Sequence, residues 1–248
     1  MPISQIVILV ILGFLPSIVW LNFYFREDCH PEPKHLLIKV FLMGIIISPL
    51  AIIFQILLVK CGAILVLQKL CLPLGFLQPA SPEFLLWSAF VEEMVKFYAV
   101  RIVILNDVEF DEPIDAMIYM MVAALGFAAI ENLLIVFQTT PDGFATTINT
   151  LILRFIGATL LHALASGLLG YFLAISWFFQ HHRKKLLIIG ILLATIFHFT
   201  FNMFIFAFDG QITALLYTTS MLLGIAFLVS ILFDRLKSRH SAVPIPRI

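Results

Sequence analysis

Seven times along this chain a run of about twenty predominantly apolar residues recurs, at approximately 3–25, 37–59, 84–105, 115–138, 149–178, 186–208 and 211–233. A bilayer core of about 30 Å is crossed by about 20 apolar residues in an α-helix, and only helices and closed barrels satisfy their backbone groups there. Runs of this length are helical spans rather than barrel strands. The expected fold is therefore all-α, a polytopic transmembrane bundle of about seven spans (seven to eight). Composition agrees, because 62% of the residues are hydrophobic and only 12% charged, with a mean hydropathy of +1.08.

The stretch 61–80 is also apolar, but Lys69 and two prolines interrupt it. It reads as an interfacial or re-entrant piece better than as an eighth span. The N-terminal run has no Lys or Arg before it and no small-residue cleavage site, so it is expected to be retained as the first span. No repeat or low-complexity linker divides the chain, so residues 1–248 are expected to form one membrane domain, with 234–248 as a tail.

Basic residues orient the bundle. Arg26, Lys34, Lys39, Arg101, Arg183, Lys184, Lys185, Arg235, Lys237, Arg239 and Arg247 fall on one side, while the other side has only Lys60 and Lys69. The positive-inside rule then predicts an external N-terminus and a cytoplasmic C-terminus. A net charge of zero, with no basic stripe interleaved with aromatics, gives no reason to expect nucleic acid as a partner. Cys29, Cys61 and Cys71 form neither a C-x-x-C pair nor an even set and are expected to be unpaired. His181 and His182 beside Arg183 read as a solvated anchor. The acidic loop 107–115 lacks the Gly and Glu positions of an EF-hand and reads as a solvated turn.

Polar residues inside the spans carry the chemistry. Span three holds Glu92, Glu93 and Lys96; span four, Glu131 and Asn132; span five, Arg154 and His162; span six, His198 and Asn202. Two Glu and a Lys cost a spanning helix on the order of 7–10 kcal/mol on an insertion scale, so span three is marginal alone and must turn its polar face into the bundle. At about 1.5 Å of rise per residue, Glu92, Glu131, His198 and Asn202 lie about 9 to 15 Å from the same membrane edge, and His162 is near the middle of its longer helix. The groups share one layer. Spans one, two and seven hold no ionisable residue at depth and are expected to frame the site.

Facing follows from spacing. Glu92 and Glu93 stand four and three residues from Lys96, so the lysine can neutralise one carboxylate and leave the other available. Adjacent carboxylates in a low dielectric do not both ionise cheaply, which is the condition for a general acid or base. His198 and Asn202 are also one turn apart, giving a base or donor and an amide on one face. Arg154, near the outer end of its helix, is expected to snorkel. Each group alone could be interhelical glue, but two histidines, three glutamates and a lysine on four helices at one depth point to a site.

The motifs E-E-M-V-K (92–96), F-A-A-I-E-N (127–132), His162 in L-L-H-A, and H-F-T-F-N (198–202) resemble the PrsW family of intramembrane proteases, over roughly residues 84–205. They are also similar to the wider glutamate-dependent group of CAAX-prenyl endopeptidases and bacteriocin-immunity proteins, whose E-E-x-x-x-R spacing differs from that of Lys96. The resemblance implies a four-span catalytic core that hydrolyses a peptide bond in or near the lipid bilayer, typically of a single-span membrane protein such as an anti-sigma factor. In that setting Glu92 or Glu93 with His162 would activate water, His198 and Asn202 would steady the oxyanion, and Lys96, Glu131 and Asn132 would support them. A zinc version would use Glu93, His162 and His198 as ligands and the other glutamate as base. Asn202 stands where the family also has Asp, a stronger metal ligand. A proton- or ion-coupled transporter and an inactive immunity homologue are the alternatives, although no repeated halves with broken helices favour a transporter.

Overall fold

A computed structural model describes residues 3–25, 32–67, 78–79, 81–208 and 211–237. Among them the chain is all-α. The helices are α1 (Ile3–Phe25), α2 (Lys34–Leu67), α3 (Pro82–Val103), α4 (Asp115–Thr139), α5 (Phe144–Ile156), α6 (Ala158–Phe178), α7 (Arg183–Ala207) and α8 (Ile212–Lys237), with short 3₁₀ turns at Thr140–Asp142 and Gln180–His182. Six helical segments are long and apolar enough to cross a membrane, α5 and α6 counting as one. Helix α3 is not among the six, and its sequence carries Glu83, Glu92, Glu93, Lys96 and Arg101. The protein is an integral membrane bundle, in which the polar α3 packs against α2, α7 and α4.

Helix α4 is the centre. Its residues from Asp115 to Ala129 are all buried, and α1, α2, α3, α5 and α6 pack around it. Helix α6 lies alongside and carries α7 and α8 on its far side, while α7 also packs against α3. This wrapping explains why a helix built largely from Ala, Met and Leu can be surrounded by protein: small side chains let neighbouring backbones approach. The closest approach is between α2 and α4, where a Cβ on Gly126 would fall 2.1 Å from the Phe41 carbonyl oxygen and one on Gly44 2.2 Å from that of Ala123. Glycine is required at both places.

Local signals set the ends that matter for the site. Ser81 caps α3 by accepting from the Phe84 N–H at 3.2 Å, and Pro82 opens the first turn, where its missing N–H costs nothing. Residues 61–67 continue α2; the rest of the 61–80 stretch, apart from 78–79, lies outside the described residues. Cys61 is free and exposed, and Cys29 and Cys71 also lie outside them.

Two expectations are corrected. The span expected as one helix over 149–178 is two, because the backbone at Gly157 leaves helical geometry (φ −90°, ψ −95°) and divides α5 from α6. The acidic loop is not wholly solvated. Asp115 is buried and accepts from the backbone N–H groups of Asp111 and Glu112 at 3.1 and 2.8 Å, while Tyr119 donates to Glu32. His181 and His182 are exposed, as a solvated anchor requires.

Candidate active site

Helix α3 turns Glu92, Glu93 and Lys96 inward, all buried. Glu93 is fully committed: Oε1 accepts from Lys96 Nζ at 2.7 Å and from His198 Nδ1 at 2.9 Å, and Oε2 accepts from Ser166 Oγ at 2.8 Å. Lys96 also donates to His162 Nδ1 at 2.8 Å and lies 4.8 Å from the centre of the Phe127 ring, a cation–π distance. A buried ammonium is acceptable here because each polar neighbour is an acceptor.

Proton positions on the two histidines follow from these partners. An ammonium only donates, so His162 Nδ1 presents its lone pair to Lys96, and Nε2 carries the hydrogen that goes to Glu131 Oε2 at 2.8 Å. On His198, Nδ1 carries the hydrogen given to Glu93, so Nε2 presents a lone pair. That lone pair faces Glu92 Oε2 at 3.5 Å. Glu92 Oε1 accepts from Ser88 Oγ at 2.9 Å and Gln55 Nε2 at 3.0 Å, whereas Oε2 is buried without a hydrogen-bond partner among the described residues.

Glu92 Oε2, which has no hydrogen-bond partner among the described residues, therefore faces His198 Nε2 across a 3.5 Å gap. Burying acceptors this way is unfavourable unless a water proton or a cation fills the gap. One ligand atom each from Glu92, His162 and His198 lies within 4.8 Å of the others. A carboxylate and two imidazoles form the donor set of a catalytic zinc site, so the residues fit a divalent metal provided that Lys96 releases the Nδ1 lone pair of His162. The glutamate in this group is Glu92, whereas Glu93 spends both oxygens on Lys96, His198 and Ser166.

The remaining candidates surround this core. Glu131 also pairs with Arg154 at 3.0 Å, and Asn132 accepts from Arg154 Nε at 2.7 Å while donating to Thr159 at 3.0 Å. Arg154 does not snorkel as expected; its guanidinium turns inward onto α4. Asn202 lies one turn beyond His198 on α7 and is half-buried. Gln55, Ser88 and Ser166 were not anticipated. Ser88 and Ser166 each stand four residues from a named site residue, Glu92 and His162, which is the signal that would have found them; Gln55 stands alone in its span.

Comparisons with known proteins give the chain its relatives. The family model described as PrsW family intramembrane metalloprotease matches residues 32–232. Among curated relatives, the chain is 26% identical to "Protease PrsW" of Geobacillus kaustophilus over 79% of this chain and 78% of that one. It is 27% identical to the Oceanobacillus iheyensis protein of the same name, over 80% and 83%, and 24% identical to that of Bacillus subtilis, over 81% and 84%. No solved structure matches the chain.

Proposed function

The chain belongs to the PrsW family of intramembrane metalloproteases, and from that premise we propose that it hydrolyses a peptide bond of a single-span membrane protein, such as an anti-sigma factor, with Glu92 as the base. The supporting observation is the unpartnered Oε2 of Glu92 facing Nε2 of His198 at 3.5 Å. A water seated there meets two acceptors at once. It can leave a proton on Glu92 as it attacks the scissile carbonyl, and Glu92 can return that proton to the departing amine.

Glu93 has a different task in this scheme. Held by Lys96 and Ser166, it orients His198 through Nδ1 and so keeps Nε2 turned toward the water. Lys96 and Glu131 hold His162 from its two ring nitrogens. Asn202, on the same helix as His198, supplies an amide donor for the developing oxyanion. The same gap could instead take a divalent metal, zinc by the donor set, which Glu92 Oε2 and His198 would hold, with His162 joining where Lys96 releases Nδ1; bound there it would supply Lewis-acid polarisation of the carbonyl and acidify water, and Glu92 would then be a ligand rather than the base.

The reading extends to placement. The catalytic core is 84–205 within the single domain 1–248, with the N-terminus outside the plasma membrane and the tail 234–248 in the cytoplasm.

The test is cleavage of single-span substrates by the purified protein, before and after chelation and zinc replacement, beside Glu92→Gln and His198→Ala. Cleavage that chelation abolishes, zinc restores and both variants lack supports the proposal. Cleavage unchanged in both variants overturns the assignment, and cleavage indifferent to chelation with metal-free protein overturns the metal.

A further inference from the structure

Arg154 has no part in the scheme above, yet it is held by two side chains of α4. A guanidinium at span depth costs roughly 2.5–3.5 kcal/mol on an insertion scale, and it stays charged at any accessible pH. Its placement therefore has to be supported by partners. It grips two consecutive residues of α4: NH2 donates to Glu131 Oε2 at 3.0 Å and Nε to Asn132 Oδ1 at 2.7 Å. The same Glu131 oxygen receives His162 Nε2. Asn132 in turn donates to Thr159 at 3.0 Å, in the first turn of α6 and three residues before His162. One side chain thus reaches His162 by two routes, through Glu131 directly and through the turn that carries the histidine.

Helix α5 is built to hold Arg154 there. It ends at the Gly157 break, where a Cβ would fall 2.7 Å from the Leu153 carbonyl oxygen. Trp20 of α1 donates from Nε1 to the Phe155 carbonyl at 2.8 Å, satisfying a carbonyl of the last turn, and stacks on the Phe155 ring with centroids 5.5 Å apart. The exposure of the pair, 19% for the Arg154 side chain and 29% for that of Glu131, places it at the rim of the buried site.

We propose that Arg154 is a positioning residue for hydrolysis: it fixes Glu131 so that Glu131 holds the His162 hydrogen on Nε2 and keeps a lone pair on Nδ1, turned toward the site. Without the guanidinium, Glu131 swings toward the surface and His162 loses the partner that selects its tautomer and ring orientation. Partners of this kind, one shell removed from the reacting atoms, are worth about ten- to a hundred-fold in activity. The kinetic consequence rests on the proposed hydrolysis; the tautomer does not.

The experiment uses the full-length protein in detergent micelles with ¹⁵N-labelled histidine, the His162 signals being assigned by comparison with His162→Gln. Wild type and Ile152→Ala, a change at an exposed position of the same helix, should both show the Nε2–H tautomer of His162. Arg154→Gln should show a tautomer mixture, with kcat on a single-span peptide lowered about ten- to a hundred-fold and KM little changed, and Arg154→Lys should recover part of both. Wild-type His162 signals and kcat in Arg154→Gln would overturn the proposal, as would an equal disturbance in Ile152→Ala. Should Arg154→Gln fail to fold, Arg154→Lys carries the decision, since wild-type signals there together with undiminished kcat also overturn it. If wild type cleaves nothing, the hydrolytic reading falls, while the tautomer comparison still judges Arg154.

Discussion

Lys96 of α3 and His162 of α6 are joined by a 2.8 Å hydrogen bond in which the same ammonium also binds Glu93 at 2.7 Å. The lysine is the one positive group among the fully buried members of the site, and it links the glutamate that orients His198 to the histidine that contacts Glu131. Lys96→Met keeps the length of the side chain but leaves Glu93 without its counter-charge. Removing one partner of a buried pair costs about 3–5 kcal/mol. The expected outcome is a markedly lower thermal midpoint in micelles together with loss of cleavage, and a Lys96→Met protein as stable as wild type would show that the pair is not what holds α3 against α6.

The two neighbouring glutamates should separate experimentally. Glu92→Gln retains a carbonyl oxygen for Gln55 and Ser88, so the fold should survive, while the loss of the base lowers cleavage about 10²–10⁴-fold. Glu93→Gln weakens the contacts to Lys96, His198 and Ser166 and should lower stability as well as activity. Thermal unfolding and turnover measured on the same preparations decide the matter: a Glu93→Gln protein of wild-type stability, or a Glu92→Gln protein of wild-type activity, contradicts the division of labour. Zinc bound per chain after dialysis should fall in Glu92→Gln.

Gln55 should matter although its own span has no ionisable residue at depth. It donates to Ser88 Oγ at 2.7 Å and to Glu92 Oε1 at 3.0 Å, so Glu92 is clamped by one oxygen and offers the other. A hydrogen bond to a charged group is worth about 1.5–3 kcal/mol. Gln55→Leu is expected to reduce kcat by about ten-fold or more with little change in KM, and Gln55→Asn, too short to reach both partners, should resemble it. Equal kcat in Gln55→Leu and wild type would remove Gln55 from the site.

The α2–α4 crossing offers a packing test independent of catalysis. Gly126→Ala places a methyl group 2.1 Å from the Phe41 carbonyl oxygen, a backbone atom that cannot rotate away. Overpacking of this kind costs about 1–3 kcal/mol or more. Gly126→Ala should lower the thermal midpoint, whereas Gly224→Ala, where nothing lies within 4 Å, should leave it unchanged. Equal midpoints for the two would contradict the close approach.

Much of this architecture is legible in the sequence because hydrocarbon is an unforgiving solvent. Helix α1 begins and ends where its apolar run does, and α4 extends one residue beyond the expected span. The site was visible for the same reason: Glu92, Glu93, Lys96, Glu131 and His198 are too costly in lipid to be incidental. What hydropathy does not carry is direction. Residues 149–178 are apolar throughout, so nothing in their composition marks the turn at Gly157, which depends on backbone angles. The same blindness made Arg154 look like a side chain reaching for the interface, when the break lets it fold back onto α4. Gln55 was missed because one neutral amide costs a spanning helix little, and its importance lies in what it faces. The choice between Glu92 and Glu93 needed three dimensions, since both stand within one turn of Lys96.

The paired glycines of α2 and α4 bear on how a peptide would reach the buried site proposed above. Where Gly44 and Gly126 bring two backbones together, no side chain lies between the helices to rotate out of the way. That seam is welded. If the proposed substrate enters as a transmembrane segment, the expected doorway is along some other seam of the bundle, with α2 and α4 moving as one wall.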